Sequence, residues 1–311
     1  MWKLISYKLL FLIIALLSYF SIYSKEVPYL YILGVAQDAG YPQAGCYKKH
    51  CIPGWKDPRL EHGASSIAII DPGSSKKYLF EATPHFPRQL YNLSEEAPDE
   101  KYTMDGIFLT HAHIGHYAGL MFLGHEAMGA SGVPVYAMPK MTDYLKTNGP
   151  WSQLISYKNI QLHPLEENKT VQLDNIAIKP FLVPHRDEYS ETVGFHIKGP
   201  SKTAIFIPDI DKWSQWETSI VDLVRTVDYA FIDATFFADG ELPGRDMSKV
   251  RHPFVIESMK LFENLPVKER NKVWFIHMNH TNPLLNENSN ESHQVLNAGF
   301  NIAREGIRIS L

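Results

Sequence analysis

The chain has 311 residues, of which 30 are basic and 34 are acidic, so its formal charge is -4. Apolar residues make up 45% and aromatic residues 12% of the sequence, enough to fill a packed core, which excludes disordered, collagen-like and coiled-coil proteins. The small charge and the lack of a long basic run argue against a nucleic-acid binder, because neutralising phosphates requires clustered Lys and Arg. We expect a small-molecule substrate.

The first 24 residues have the pattern of a secretory signal peptide. Lys3 and Lys8 precede the apolar run Leu9 to Leu17, and small polar residues follow up to Ser24. This run is far shorter than the ~20 residues of a spanning helix, so we favour cleavage after Ser24 over an uncleaved membrane anchor. Residues 25–311 are then expected to form a single domain in the periplasm or outside the cell, with no membrane attachment.

Short β-rich runs alternate with amphipathic segments along the rest of the chain. Strands are predicted over Tyr29 to Ala36, Ser66 to Asp71, Lys77 to Glu81, Gly106 to Thr110, Val133 to Met138, Ile176 to Val183, Thr192 to Ile197, Thr203 to Pro208, Tyr229 to Ala234 and Val273 to His277. Helices are predicted over His116 to Gly129, Lys140 to Asn148, Lys212 to Thr226, Pro253 to Leu265 and Gln294 to Ala298. This order predicts β-sheets covered by helices.

Cys46 and Cys51, the only two cysteines, lie in the Gly/Pro-rich loop from Tyr41 to Cys51. In an oxidising compartment they are close enough along the chain to form a small disulfide. A structural zinc site that includes His50 is the alternative. We prefer a disulfide or free thiols, because two cysteines alone do not complete a tetrahedral site.

The densest chemical signal is the segment Leu109-Thr-His111-Ala-His113-Ile-Gly115-His116, which follows a predicted strand. Three imidazoles this close together at a strand-to-helix junction can point into one volume, which favours a metal site over solvated histidines. Imidazole-rich sites suit zinc, our first choice, and also iron; manganese stays open if oxygen ligands dominate.

This segment resembles the His-x-His-x-Asp-His signature of the metallo-β-lactamase-fold superfamily, with Gly115 in place of the Asp. Segments ending in His185, Asp209 and His277 follow in the superfamily's order. The resemblance implies an α/β (α+β) fold, an αββα sandwich of two mixed sheets flanked by helices. Segments 33–43, 184–194, 208–213, 233–236 and 279–283 are similar to the branch that contains the pyrroloquinoline-quinone biosynthesis protein B.

The resemblance also implies a ligand set. His111, His113 and His185 would hold a first ion and leave one position open for water. His116, Asp209 as the bridging carboxylate and His277 would hold a second ion, which we expect to bind weakly or not at all because Gly115 supplies no carboxylate. Asp187 or His280 is a conceivable substitute. The number of zinc ions therefore stays open between one and two.

Further roles follow from the same resemblance. Asp209 would position or deprotonate the attacking water, and His252 or His280 would protonate the leaving group. Glu81, at the end of a predicted strand, would orient metal ligands or be an ordinary strand-end glutamate. The other histidines are expected to have no role in the site: His50, His62, His125, His163, His196 and His293.

These features favour a periplasmic or secreted hydrolase that uses a metal-bound hydroxide on an ester, lactone, amide, thioester or phosphodiester. One alternative is an iron-dependent oxidase or oxygenase related to redox-cofactor biosynthesis. Another is a metal- or ligand-binding protein without catalysis, which Gly115 motivates. The sequence indicates neither the substrate nor the oligomeric state.

Overall fold

The structure, a computed structural model, describes residues 27–311. The predicted signal peptide lies outside the described residues. The first sheet has the order β14-β1-β2-β3-β4-β5-β6. Its strands are β1 (Tyr29–Gly34), β2 (Ser66–Asp71), β3 (Lys76–Phe80), β4 (Thr103–Phe108), β5 (Val133–Ala137), β6 (Ile160–Pro164) and β14 (Arg308–Ser310).

The second sheet has the order β13-β12-β11-β10-β9-β8-β7. Its strands are β7 (Val171–Leu173), β8 (Ile176–Leu182), β9 (Val193–Lys198), β10 (Thr203–Ile207), β11 (Tyr229–Asp233), β12 (Val273–Ile276) and β13 (Asn301–Ile302). Both sheets combine parallel and antiparallel neighbours. The prediction of two mixed sheets is confirmed.

Short helices connect and cover the strands. The α-helices are α1 (Ile52–Lys56), α2 (Phe86–Glu96), α3 (Ile114–Tyr117), α4 (Pro139–Thr147), α5 (Trp151–Ser156), α6 (Ile220–Arg225), α7 (Val255–Leu261), α8 (Val267–Arg270) and α9 (Asn290–Asn297). Single 3-10 turns occur at Pro58–Leu60, Ala118–Leu123, Trp213–Gln215, Met247–Lys249 and Pro283–Leu285. Within residues 27–311, no helix combines the length and apolar character needed to cross a membrane.

Alternation along β2 shows how the layers pack. Ile67 and Ile69 point into the core between the sheets, whereas Ala68 and Ile70 point into a second core shared with α2. Across the first core, the Phe80 ring lies 5.3 Å from that of Phe195 in the other sheet. The sheets therefore pack face to face, with helices on their outer sides.

Three predicted helices are too long. The helix predicted over His116 to Gly129 is only α3 followed by a 3-10 turn. The Ala82 N–H donates to the His116 carbonyl, and the Gly119 N–H donates to the Ala82 carbonyl, so these backbone groups bond across to the loop after β3 instead of along a helix. A Cβ at Gly119 would lie 2.2 Å from the Thr83 carbonyl oxygen, which shows how close this approach is.

The helix predicted over Lys212 to Thr226 is likewise divided. Ser219 caps α6 by accepting the Asp222 N–H, so the helix begins only there. The segment predicted over Pro253 to Leu265 ends as a helix at Leu261, and α8 begins after Pro266. Helices α1, α2, α5 and α8 and strands β6, β7, β13 and β14 were not predicted, because most of these elements are short and have weak periodicity.

Parallel pairing positions the candidate site. Strands β3 to β6 run parallel to one another, as do strands β10 to β13, so the carboxyl ends of each group share an edge of their sheet. Side chains that directly follow these strands can converge there. They are Glu81 after β3, His111 after β4, Asp209 after β10 and His277 after β12.

Candidate metal centre

Four potential ligand atoms form the first cluster. His111, His113, His185 and Asp209 each offer one ligand atom, and these atoms lie within 4.8 Å of one another. His113 Nδ1 is 2.8 Å from His111 Nε2 and 3.2 Å from His185 Nε2. Asp209 Oδ2 lies 3.5 Å from His111 Nε2 and 3.2 Å from His185 Nε2. Sequence predicted these four residues, and folding brings them together.

The second ring nitrogen of each histidine contacts a polar side chain outside the cluster. His111 Nδ1 lies 2.8 Å from the Thr110 hydroxyl, and His113 Nε2 lies 3.1 Å from a Glu188 oxygen. His185 Nδ1 lies 3.1 Å from Asp211, which also accepts a hydrogen bond from Arg251 Nε at 2.8 Å. Outer contacts of this kind orient metal-binding imidazoles and set their tautomer.

Asp38, His116 and His277 form the second cluster. Asp38 Oδ1 lies 3.3 Å from His116 Nε2 and 3.8 Å from His277 Nε2. Asp209 Oδ2 is 3.7 Å from His116 Nε2, so this carboxylate stands between the two clusters. The structure brings His116 and His277 together as predicted, places Asp209 near His116, and adds Asp38, which sequence reasoning missed.

Glu81 and Thr235 hold the second cluster in place. Glu81 Oε2 lies 3.2 Å from His116 Nδ1, and the Thr235 hydroxyl lies 3.1 Å from His277 Nδ1. Glu81 and His277 both adopt left-handed backbone conformations, with φ of 73° and 66°. A fully buried non-glycine residue with this conformation is strained, and such strain concentrates at functional sites.

Several buried atoms of these clusters have no hydrogen-bond partner within residues 27–311. They include Asp38 Oδ1, His116 Nε2 and His277 Nε2. Leaving such a buried group unsatisfied costs about 1–3 kcal/mol. Nitrogen and carboxylate atoms that face one another without bonding are what a cation would satisfy, so the donor set fits a metal ion.

The pKa shifts of residues in the first cluster also favour binding of a metal ion. Burial lowers the pKa of His111 and of His113, which keeps both rings in the neutral form that binds metals. Burial opposes ionisation of Asp209, but His185 and His252 outweigh it and hold the pKa of this carboxyl well below its usual value. The first cluster therefore presents the neutral imidazoles of His111 and His113 beside an ionised carboxylate.

His252 stands at the edge of the clusters and is held by two carboxylates. Its Nδ1 lies 2.8 Å from Asp233 Oδ2 and 3.1 Å from Asp209 Oδ1. Burial favours the neutral ring, but these two carboxylates outweigh it and raise the pKa of His252 well above its usual value. Asp233 is itself fixed by the Thr235 N–H and hydroxyl, which donate to its Oδ1.

His280 lies in a different group from the one predicted. The structure places it with Cys46, His50 and Cys51, whose ligand atoms lie within 4.8 Å of one another, and not among the residues around Asp209. Both cysteines are free, and Cys46 Sγ lies 3.2 Å from His50 Nε2. Two thiols and two imidazoles are a donor set typical of structural zinc.

Asp187, considered as a substitute ligand, accepts a hydrogen bond from the Thr192 hydroxyl and belongs to neither cluster. Asp38 escaped sequence reasoning, because it had no local signal beyond an acidic residue in the loop after a strand. His50 was considered with the two cysteines only as an alternative, and the structure adds His280 to this group.

Comparison with known proteins places the fold in a family. A family model described as a β-lactamase superfamily domain matches residues 69–298. The chain therefore belongs to this superfamily. Coenzyme PQQ synthesis protein B of Acinetobacter baumannii is 25% identical over 316 residues, covering 91% of this chain and 100% of the relative. The predicted likeness to this branch is confirmed.

Solved structures agree in fold. The Zn(2+)-bound PqqB of Methylobacterium extorquens superposes with a TM-score of 0.76 at 22% identity, covering 91% of this chain and 100% of PqqB. A diphosphatase from the PhnP family has a TM-score of 0.62 at 22% identity, covering 91% and 98%. The αββα architecture is thus shared with both a zinc-bound relative and a hydrolase.

Proposed function

We propose that this chain is a metal-dependent hydrolase of a small-molecule ester, lactone, amide or phosphodiester. The observation that carries the proposal is the position of Asp209 Oδ2, which lies 3.2 Å from His185 Nε2 and 3.7 Å from His116 Nε2. One carboxylate oxygen thus faces ligands of both clusters. This arrangement suits a bridging ligand between two ions, a geometry used in hydrolytic displacement.

We assign zinc to the centre because three imidazoles and a carboxylate form a donor set that zinc prefers. His111, His113, His185 and Asp209 would hold the first ion, and His116 and His277 would contribute to the second. A bound divalent ion supplies a nucleophile at neutral pH by acidifying water and polarises the substrate's carbonyl or phosphoryl group.

The chain's own residues supply orientation and a proton. Asp211, Glu188 and Glu81 fix the imidazoles through their outer nitrogens. His252 is the proton donor to the leaving group in this proposal. Its Nδ1 is engaged by Asp233 and Asp209, which leaves Nε2 to carry the proton.

We also propose a location and a substrate class for the enzyme. The N-terminal pattern supports export to the periplasm or beyond the cell with removal of the leader after Ser24. A slightly acidic chain with clustered histidines is suited to a small molecule and not to nucleic acid. We propose in addition that Cys46, His50, Cys51 and His280 hold a separate structural zinc.

A second candidate is oxidation chemistry with iron. Relatives that match nearly the whole chain are named for synthesis of the redox coenzyme PQQ. Histidine-rich clusters with carboxylates also suit ferrous iron. Product formation that requires ferrous ion and oxygen, and that zinc does not support, would favour this candidate over hydrolysis.

The deciding experiment combines metal analysis with turnover. Full-length protein is loaded with zinc, its ions per chain are counted by elemental analysis, and it is tested on esters, lactones, amides and phosphodiesters. We expect His113→Ala to lose a bound ion and turnover, while His293→Ala, a change to an exposed histidine, keeps both. Unchanged metal content in His113→Ala would refute the proposal.

A further inference from the structure

The position that lacks the superfamily's motif carboxylate lies directly against another carboxylate. A Cβ added to Gly115 would lie 2.7 Å from Asp38 Oδ1, 2.8 Å from Asp38 Cβ and 2.6 Å from Asp38 Cα. Atoms of two side chains never approach this closely without displacement. The space that a side chain at position 115 would need is therefore occupied by Asp38.

Asp38 reaches this space from a different part of the chain. It lies in the loop that follows β1, whereas Gly115 lies in α3 after β4. The loop is tied to the site because the Gln37 N–H donates to the Met278 carbonyl, directly after His277. Asp38 itself adopts φ of 32°, an unusual conformation for a residue with a side chain.

The side chain is directed at the second cluster. Asp38 Oδ1 is buried without a hydrogen-bond partner in the described part of the chain, although the side chain as a whole is 46% exposed. Asp38 Oδ1 faces two nitrogens, His116 Nε2 at 3.3 Å and His277 Nε2 at 3.8 Å. Both nitrogens are also buried and have no hydrogen-bond partner within residues 27–311. Three potential metal-ligand atoms without hydrogen-bond partners thus point into one small volume.

We propose that Asp38 supplies the carboxylate ligand of the second ion that the motif position cannot supply, and that a side chain at position 115 and Asp38 exclude each other. This inference rests on the proposed metal centre. It replaces the expectation of weak or absent second-ion binding with a ligand set of Asp38, His116 and His277, next to which Asp209 lies 3.7 Å from His116. It also means that adding an aspartate at position 115 alone does not strengthen the site.

The test counts ions in variants of the full-length chain after loading with zinc and gel filtration. Asp38→Ala is expected to bind one ion fewer than the parent, or to bind the second ion at least about tenfold more weakly. Mutation of a residue that only contacts a metal ligand typically lowers metal affinity by about tenfold or more, and loss of a ligand should lower it at least as much. Truncation of a half-exposed side chain creates no internal cavity, so the variant is expected to fold. Asp187→Asn, which removes a nearby negative charge outside both clusters, should keep the parent's count.

A change at position 115 tests the exclusion. Gly115→Asp is expected to unfold at lower temperature than the parent and to gain no ion, because its Cβ would meet Asp38 Cα at 2.6 Å as well as the Asp38 side chain. The double change Asp38→Ala and Gly115→Asp keeps the close approach to the Cα of residue 38, so it should not regain the ion that Asp38→Ala lost.

Two results would overturn the inference: Asp38→Ala binding as many ions as the parent with unchanged affinity, or Gly115→Asp gaining an ion with no loss of thermal stability. Either result leaves the first cluster untouched. Loss of an ion in His113→Ala reports on that cluster separately, so failure of this inference and failure of the proposed hydrolase are distinguishable.

Discussion

Glu81 Oε2 lies 3.2 Å from His116 Nδ1, on the side of the ring opposite to the second cluster. The other oxygen of the same carboxylate accepts the Thr110 N–H at 3.0 Å, directly before His111. One fully buried side chain therefore links the backbone that carries the first cluster to a ring of the second. Burial alone would lower the pKa of His116, but Glu81 and Asp38 outweigh it and raise the pKa to about 10.

We predict that Glu81→Gln weakens binding of the second ion by about 10- to 100-fold. The amide oxygen can still accept the Thr110 N–H, so the fold is expected to persist, but the negative charge behind His116 is lost. Zinc titration followed by calorimetry measures the effect. An unchanged affinity for both ions would mean that Glu81 is only a strand-end residue; Glu95→Gln, on the exposed face of α2, is the control.

We predict that His252→Gln lowers kcat by about 100-fold or more while the metal content stays that of the parent, because the variant loses a proton donor and not a ligand. Substrates whose leaving groups are already stable as anions should be affected least. Comparing a nitrophenyl ester with an alkyl ester measures this difference. Equal losses on both substrates would argue against proton donation by His252.

We predict that the double variant Cys46→Ser and Cys51→Ser binds one zinc fewer than the parent and melts at a lower temperature. His280→Gln should lose the same ion and should reduce turnover less than His252→Gln, because His280 lies with the cysteines and not beside Asp209. Elemental analysis and calorimetry provide both measurements. A double variant with the parent's zinc content would contradict this assignment.

Glu305 gives a prediction about pH that does not involve the metal centre. Burial raises its pKa from 4.5 to about 7, although its carboxylate accepts the Gly63 N–H. A carboxyl whose pKa is raised by folding stabilises the protein when protonated, so its contribution is present below pH 4.5 and is lost as the pH rises to about 7.

Glu305→Gln, which keeps the acceptor without the charge, should therefore be more stable than the parent at pH 8, by about 1–3 kcal/mol, and should differ little at pH 4. Denaturant unfolding at the two pH values measures the difference. A parent and variant with parallel pH profiles would show that Glu305 ionises normally in the folded protein.

The sequence predicted much of the site because its signals are local. Each of His111, His185, Asp209 and His277 comes directly after a β-rich run, and loops at strand ends converge when a sheet forms. Strand positions were likewise predicted to within a few residues for the longer, buried strands. Helix lengths were not, because backbone groups such as those of His116 and Gly119 bond to a distant segment instead of to their own helix.

By itself, then, the sequence determined the class of fold and most of the clustered imidazoles, since alternation of apolar residues and motif spacing are properties of short segments. Only the tertiary structure decided that Asp38 fills the space beside Gly115 and that His280 joins the cysteines. These contacts depend on which loops the two sheets bring together, and no local sequence pattern predicts which loops will meet.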